Sequence, residues 1–199
     1  PVKSFEKMFQ DNSGKVIKGL SLNSILASGV PGTVQGMFYA SEKYGTLDIK
    51  SLIDPAINLA REGFVLSGFQ AENLNRYKKK FLKNKEAKKI FTRPNGFSEV
   101  DVLVQTNLAR TLEKIAQNGK KEFYSGDTAK KISNYFQINK GILSLKDLKQ
   151  YEIRILKPIC GNYRNYEICS MAPPSSGGIA LIQILNILEN IDLDKIEHN

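Results

Sequence analysis

With 199 residues and 41% hydrophobic content, the chain is long enough to bury a substantial core. It has no apolar run of the roughly eighteen residues that a membrane helix requires, so no membrane span is expected. Its formal charge of +9 is concentrated locally, with nine Lys or Arg and the single acid Glu86 between Asn75 and Arg93. The sole histidine is His198, at the chain end, which leaves no basis for a Ser-His-Asp triad, a Cys-His dyad or a histidine-rich zinc site.

The chain opens on Pro1-Val2-Lys3 with neither an initiator Met nor a charged-then-apolar leader, and so reads as a piece of a longer protein. Asp11-Asn12-Ser13-Gly14 is a turn signal, and residues 1–20 read as a loop excursion or short hairpin closed by Gly19. After Val30-Pro31-Gly32-Thr33, the helical spacing of Val34, Met37, Phe38, Ala40 and Tyr44 predicts a helix stopped by Gly45. Asp48–Glu62 repeats the design, with Gly63 as its stop. Pro55 is expected to divide it into a short turn and a helix capped by Asp54.

Residues from Ser67 to about Asn84 predict one basic amphipathic helix, and Glu86–Phe91 a further turn before the loop Arg93-Pro94-Asn95-Gly96. Basic clusters bind nucleic acid or acidic membranes. Here Tyr77, Phe81 and Phe91 give little aromatic interleaving, and the segment reads as a solvated lysine face. Val100–Val104 either forms a strand or leads into the helix Thr106–Gln117, which ends at Asn118-Gly119. Asp127 or Ser125 caps a helix through about Phe136, and Ser144-x-x-Asp147 is a capping-box start to a short helix ending at Tyr151.

The period then changes to alternation. Glu152–Tyr163 and Tyr166–Met171 predict two strands about Arg164-Asn165, with Asn165 suited to positive φ. A two-residue turn there sets Tyr163 opposite Tyr166 and Cys160 opposite Cys169. That is a non-hydrogen-bonded pair, whose Cα atoms lie ~4.5 Å apart and within reach of a disulfide. A three-residue turn would put the cysteines on opposite faces. The alternatives are a bridge or two small buried thiols.

Ser170–Glu189 reads as strand end, rigid loop and helix. Pro173 and Pro174 stop the strand, Ser175 and Ser176 are N-cap candidates, and Gly177-Gly178 allow close backbone approach. Ile179, Leu181, Ile182, Ile184, Leu185, Ile187 and Leu188 cover most of the helix circumference, which predicts burial on more than one side. The corner lacks the lysine of a P-loop and reads as a packed strand-to-helix turn rather than a phosphate site.

Ala27-Ser28-Gly29-Val30-Pro31-Gly32-Thr33-Val34-Gln35-Gly36 and Ser170-Met171-Ala172-Pro173-Pro174-Ser175-Ser176-Gly177-Gly178 resemble segments of the γ-glutamyltranspeptidase family, within the N-terminal nucleophile hydrolase superfamily. Lys43–Thr46, Ala60–Gly63, Gln105–Ala109, Glu122–Gly126 and Gln183–Glu189 resemble further segments in the same order, so the likeness runs from about Leu20 to Ile191. It implies an α+β fold. The chain would be the helix-rich part of an αββα sandwich, with a β-hairpin near 152–171 followed by a buried helix, and residues 1–199 would form a single domain within the large subunit.

The resemblance also implies a zymogen that cuts itself into two subunits and needs no cofactor. The N-terminal threonine of the small subunit, downstream of Asn199, attacks the γ-glutamyl amide of glutathione or a related compound and passes the glutamyl group to water or an amino acid. The implied partners are that small subunit, glutathione and amino-acid acceptors, with no nucleic acid; the implied location is the periplasm or another exported compartment. No catalytic, substrate-binding, cofactor-binding or metal-ligating residue carries over to this chain, Gly177-Gly178 included. The competing readings are a related acylase acting on a cephalosporin side chain, and a non-enzymatic module using its basic helix on an acidic partner.

Overall fold

The computed structural model describes residues 1–192, so His198 lies outside the described residues. The chain divides into two compact units, Pro1–Ile153 and Arg154–Asn199.

The first unit is mostly helical. Its opening segment is a tight excursion in which Gln10 pairs with Val16, and the Asp11 carboxylate accepts from the Ser13 and Lys15 amides. Helix α1 (Leu20–Asn23) and a single 3₁₀ turn lead to α2 (Thr33–Tyr44), which Gly45 ends as expected. Helix α3 (Ile49–Glu62) is continuous through Pro55, contrary to the expected division. Its cap is Asp48, which accepts from the Ser51 amide, and its apolar face of Ile53, Ile57 and Ala60 packs on α7, so burial outweighs the one backbone bond that proline removes.

Strand β1 (Phe64–Val65), which the periodicity did not predict, pairs antiparallel with β2 (Val102–Leu103), so the 100–104 segment is in part a strand. Between them lie α4 (Gly68–Arg76), α5 (Lys78–Phe81) and α6 (Lys85–Phe91) in place of one long basic helix. The break falls at Tyr77. Arg76, Lys79, Lys80 and Lys83 would stand one turn apart as like charges in a continuous helix. Asn75 is meanwhile drawn into the neighbouring loop, where its side chain donates to the Phe97 carbonyl and accepts from the Phe97 amide, both at 2.8 Å. Leu66, Ala71, Phe97 and Leu103 form the local core.

Helix α7 (Thr106–Asn118) ends at Gly119, and two short helices, α8 (Lys120–Tyr124) and α10 (Leu145–Lys149), flank α9 (Asp127–Ile138). Neither Ser125 nor Asp127 caps α9. That role falls to the buried Glu122, whose carboxylate accepts from the Thr128 amide and hydroxyl. The Ser144–Asp147 capping box is present, and Leu148, Ala129, Leu143 and Tyr124 make the deepest core of the unit.

The second unit is a hairpin and a helix. Strands β3 (Ile159–Tyr163) and β4 (Tyr166–Ser170) pair in the expected register, Tyr163 with Tyr166 and Cys160 with Cys169. Pairing begins at Ile159, directly after Pro158 and short of the predicted 152 boundary. The positive φ belongs to Arg164, at 53°, rather than Asn165. Its amide donates to Glu189 at 2.8 Å and its guanidinium lies over the Tyr163 ring.

Cys160 and Cys169 are joined by a disulfide, with Cα atoms 4.1 Å apart. Both are exposed, so the buried-thiol alternative is set aside. Helix α11 (Gly177–Leu188) packs one side on the hairpin, where Ile182 fills the space a side chain at Gly161 would need. It is not buried in this chain. Ile184 is 54% and Ile187 64% exposed, since a helix apolar all round has been given a partner on one side only.

Candidate functional site

Two segments concentrate the chain's specific geometry. In the first unit, the loop before α2 is held by Tyr124 at the end of α8. The Tyr124 hydroxyl donates to the Pro31 carbonyl at 2.8 Å and accepts from the Gln35 amide at 3.1 Å. Burial pushes its pKa up, so the phenol keeps the proton that the Pro31 bond requires. Tyr151 stacks on Tyr124 with ring centroids 5.7 Å apart and planes 7° from parallel. Its hydroxyl end presses against Gly32, where a Cβ would collide with the ring. The loop is thus clamped at three successive points.

Below this clamp, the Asp147 carboxylate accepts from the Ser144 hydroxyl at 2.5 Å, the Ser144 amide at 2.8 Å and the Val2 amide at 2.5 Å. Burial works to raise its pKa, but these donors outweigh it and hold the carboxyl below the usual aspartate value. The group is anionic and fully engaged. It is a structural carboxylate rather than a proton donor.

In the second unit, the corner from Met171 to Gly178 contains a cis Pro173-Pro174 bond. The Ser175 amide donates to the Ala172 carbonyl and the Ser175 hydroxyl accepts from the Gly177 amide, both at 3.3 Å. Ser176 occupies the N-cap position without a side-chain cap bond. Gly178 is buried against the Met171 backbone, leaving no room for a Cβ. Cys160, Glu167 and Cys169 are the one group of three ligand-type side chains close together among the described residues, and the disulfide occupies both sulfurs.

The clamped loop and the packed proline-glycine corner are thus both fixed by contacts within the chain. The family model described as Gamma-glutamyltranspeptidase matches residues 1–199. The chain belongs to the γ-glutamyltranspeptidase family. It is 45% identical to the glutathione hydrolase proenzyme of Escherichia coli (strain K12) over 197 residues, 98% of this chain and 34% of that protein. The crystal structure of Helicobacter pylori γ-glutamyltranspeptidase superposes with a TM-score of 0.93 at 45% identity, covering 100% of this chain and 58% of that one. The γ-glutamyltranspeptidase of Pseudomonas nitroreducens, in a complex with L-DON, gives 0.89 at 32% identity, with coverage of 100% and 59%.

The chain spans about a third of the length of the curated relatives it matches. Its fold is accordingly the α+β, helix-rich part of the fold of these γ-glutamyltranspeptidases. Each of the two segments quoted for the resemblance, 27–36 and 170–178, holds a glycine with no room for a Cβ, Gly32 against the Tyr151 side chain and Gly178 against the Met171 backbone. Sequence reading assigned no role to Tyr124 or Tyr151. The available signal was a buried-type aromatic inside Glu122–Gly126, but the reach to Pro31 spans 93 positions and has no local signature.

Proposed function

We propose that the protein containing this chain is a glutathione hydrolase with γ-glutamyltransferase activity, and that residues 1–199 are part of one large-subunit domain. The observation that carries this reading is the whole-chain agreement in fold and sequence with γ-glutamyltranspeptidases. In this reading the nucleophile is the N-terminal threonine of a small subunit released by self-cleavage of the proenzyme. Its own α-amino group acts as the base for its hydroxyl, and backbone amides stabilise the oxyanion formed at the γ-glutamyl carbonyl. The glutamyl group then passes to water or to an amino acid.

This chain contributes support, with the Tyr124 clamp and the Gly178 corner holding backbone segments in fixed positions. The exposed Cys160–Cys169 bridge supports export to an oxidising compartment such as the periplasm. Among the described residues no helix is long and apolar enough to cross a membrane.

The full-length protein should release chromophore from a γ-glutamyl anilide, and replacement of the threonine at the cleavage junction by alanine should abolish both release and self-cleavage. Residues 1–199 alone should be inactive. Release by that fragment, removed by Ser176→Ala, would overturn the assignment and make the Ser175–Gly178 corner a genuine active site.

A further inference from the structure

We infer that the basic face formed by α5, α6 and the Arg93–Pro94 loop is a peripheral docking surface for a lipid bilayer rich in anionic phosphodiester headgroups. The face is concave. A depression of about 470 Å³ is lined by Lys78, Leu82, Lys85, Lys88, Lys89 and Arg93, together with Thr92 and Pro94. Five cations thus converge on one hollow. Two acids offset them, Glu86 paired with Lys89 at 2.8 Å and Asp101 with Arg93 at 2.6 Å, which leaves most of the positive charge unmatched. Lys79, Lys80 and Lys83 extend the charge outside the hollow and are exposed.

The geometry is partly fixed in advance. The Lys78 ammonium donates to the Pro94 carbonyl at 2.9 Å, and Asn84 caps α6 through the Glu86 and Ala87 amides. An aliphatic side chain shares the concavity with the cations: Leu82 lines the hollow and is 46% exposed. Tyr77, 45% exposed, borders the same helix. Cations around a projecting aliphatic suit the headgroup boundary of a bilayer, where lysines meet phosphates and the apolar group enters the acyl edge.

The same residues argue against single-stranded nucleic acid, which needs free aromatic faces on which bases can stack. Phe81 and Phe91 are half-buried and pack on each other at 5.3 Å, and the Tyr77 ring lies under the Lys80 ammonium at 5.1 Å. With no helix able to span among the described residues, the association is peripheral.

The full-length protein, incubated with phosphatidylglycerol–phosphatidylcholine vesicles and with pure phosphatidylcholine vesicles, should co-sediment with the first and not the second. Raising the salt until the screening length shrinks to about 3 Å should release it. Lys83→Gln/Lys85→Gln/Lys88→Gln should lower partitioning about a hundredfold, near fivefold per cation. Leu82→Ala should lower it severalfold with the charge intact. Removing three exposed lysines elsewhere, Lys131, Lys146 and Lys149, should leave partitioning nearly unchanged. Equal binding to both vesicle types, an unaffected Lys83/Lys85/Lys88 variant, or an equal loss in the control variant would overturn the inference. Binding of soluble polyphosphate without binding to vesicles would also overturn it, by identifying a soluble anion as the ligand. None of these outcomes depends on turnover, so failure here leaves the proposed enzymatic activity untouched.

Discussion

Helices α9 and α10 in the first unit mix apolar and charged side chains, whereas α11 in the second is apolar almost throughout, yet burial runs the other way. Around α10, Leu148 is fully buried and a stacked tyrosine pair closes over the neighbouring loop. On α11 only Gly178 is buried, and Ile179, Leu181, Ile184 and Ile187 all stand at 40% exposure or more. One region has completed its packing within this chain, and the other leaves much of its apolar surface in water. Composition alone therefore does not locate a core. What matters is how many sides of a helix find a partner.

The sharpest way to break this contrast is a pair of truncations. Leu148→Ala should cost about 2–5 kcal/mol in urea unfolding of the isolated chain, the usual range for a fully buried leucine. Leu181→Ala should cost only about 1–1.5 kcal/mol in the same chain, because two-fifths of that residue is already in water. Equal losses would show the two regions to be packed alike. Repeating the pair in the full-length protein sharpens the comparison, since a cost at Leu181 that rises toward that at Leu148 would mark a helix covered by the rest of the protein.

Next in size is Tyr124→Phe. Removing the hydroxyl leaves the Pro31 carbonyl and the Gln35 amide without their partner, at a cost of about 1–3 kcal/mol. Hydrogen exchange should then quicken at Gln35 while the hairpin of the second unit stays protected.

Asp147 gives a pH test. Its pKa is lower folded than unfolded, so its contribution to stability is complete above the ordinary aspartate value of 3.8 and is lost as pH falls below that value through the folded pKa. Wild type should lose stability over that acid range more steeply than Asp147→Asn. Parallel pH profiles would mean that the carboxylate is no better solvated by its donors than by water.

The smallest effects belong to the lysine face. Lys79→Gln/Lys80→Gln should change stability by less than about 0.5 kcal/mol and leave the turnover proposed for the full-length protein intact. Lys78→Gln should cost somewhat more, about 1 kcal/mol, because Lys78 is half-buried and bonded to Pro94. A large loss of turnover from either variant would point instead to steering of substrate by positive charge.

Features set by neighbours in sequence were legible. The Ser144–Asp147 capping box, the stops at Gly45 and Gly119 and the Cys160–Cys169 register all depend on residues only a few positions apart. The failures share the opposite character. Strand β1 exists only because Val102–Leu103 comes alongside it, and the helix break at Tyr77 depends on Asn75 reaching Phe97. Pro55 passes through α3 because α7 rewards the continuous face. The candidate site followed the same division, with its glycines apparent from the motif and its tyrosine clamp invisible until the chain folds.

The hairpin turn at Arg164-Asn165 also bears on how this chain can change over generations. Substitution is cheap at the solvent-facing Asn165, whereas Arg164, also exposed, favours residues that accept its positive φ of 53°. Insertion or deletion is another matter: one residue more would rotate one strand by half a pleat, carrying its cysteine to the α11 side and bringing side chains to the place where Gly161 admits Ile182. The covalent bridge and the helix contact would be lost together, whichever strand moved. Drift in this turn is therefore looser in letters than in length, and related chains that keep both cysteines should differ here by replacement alone.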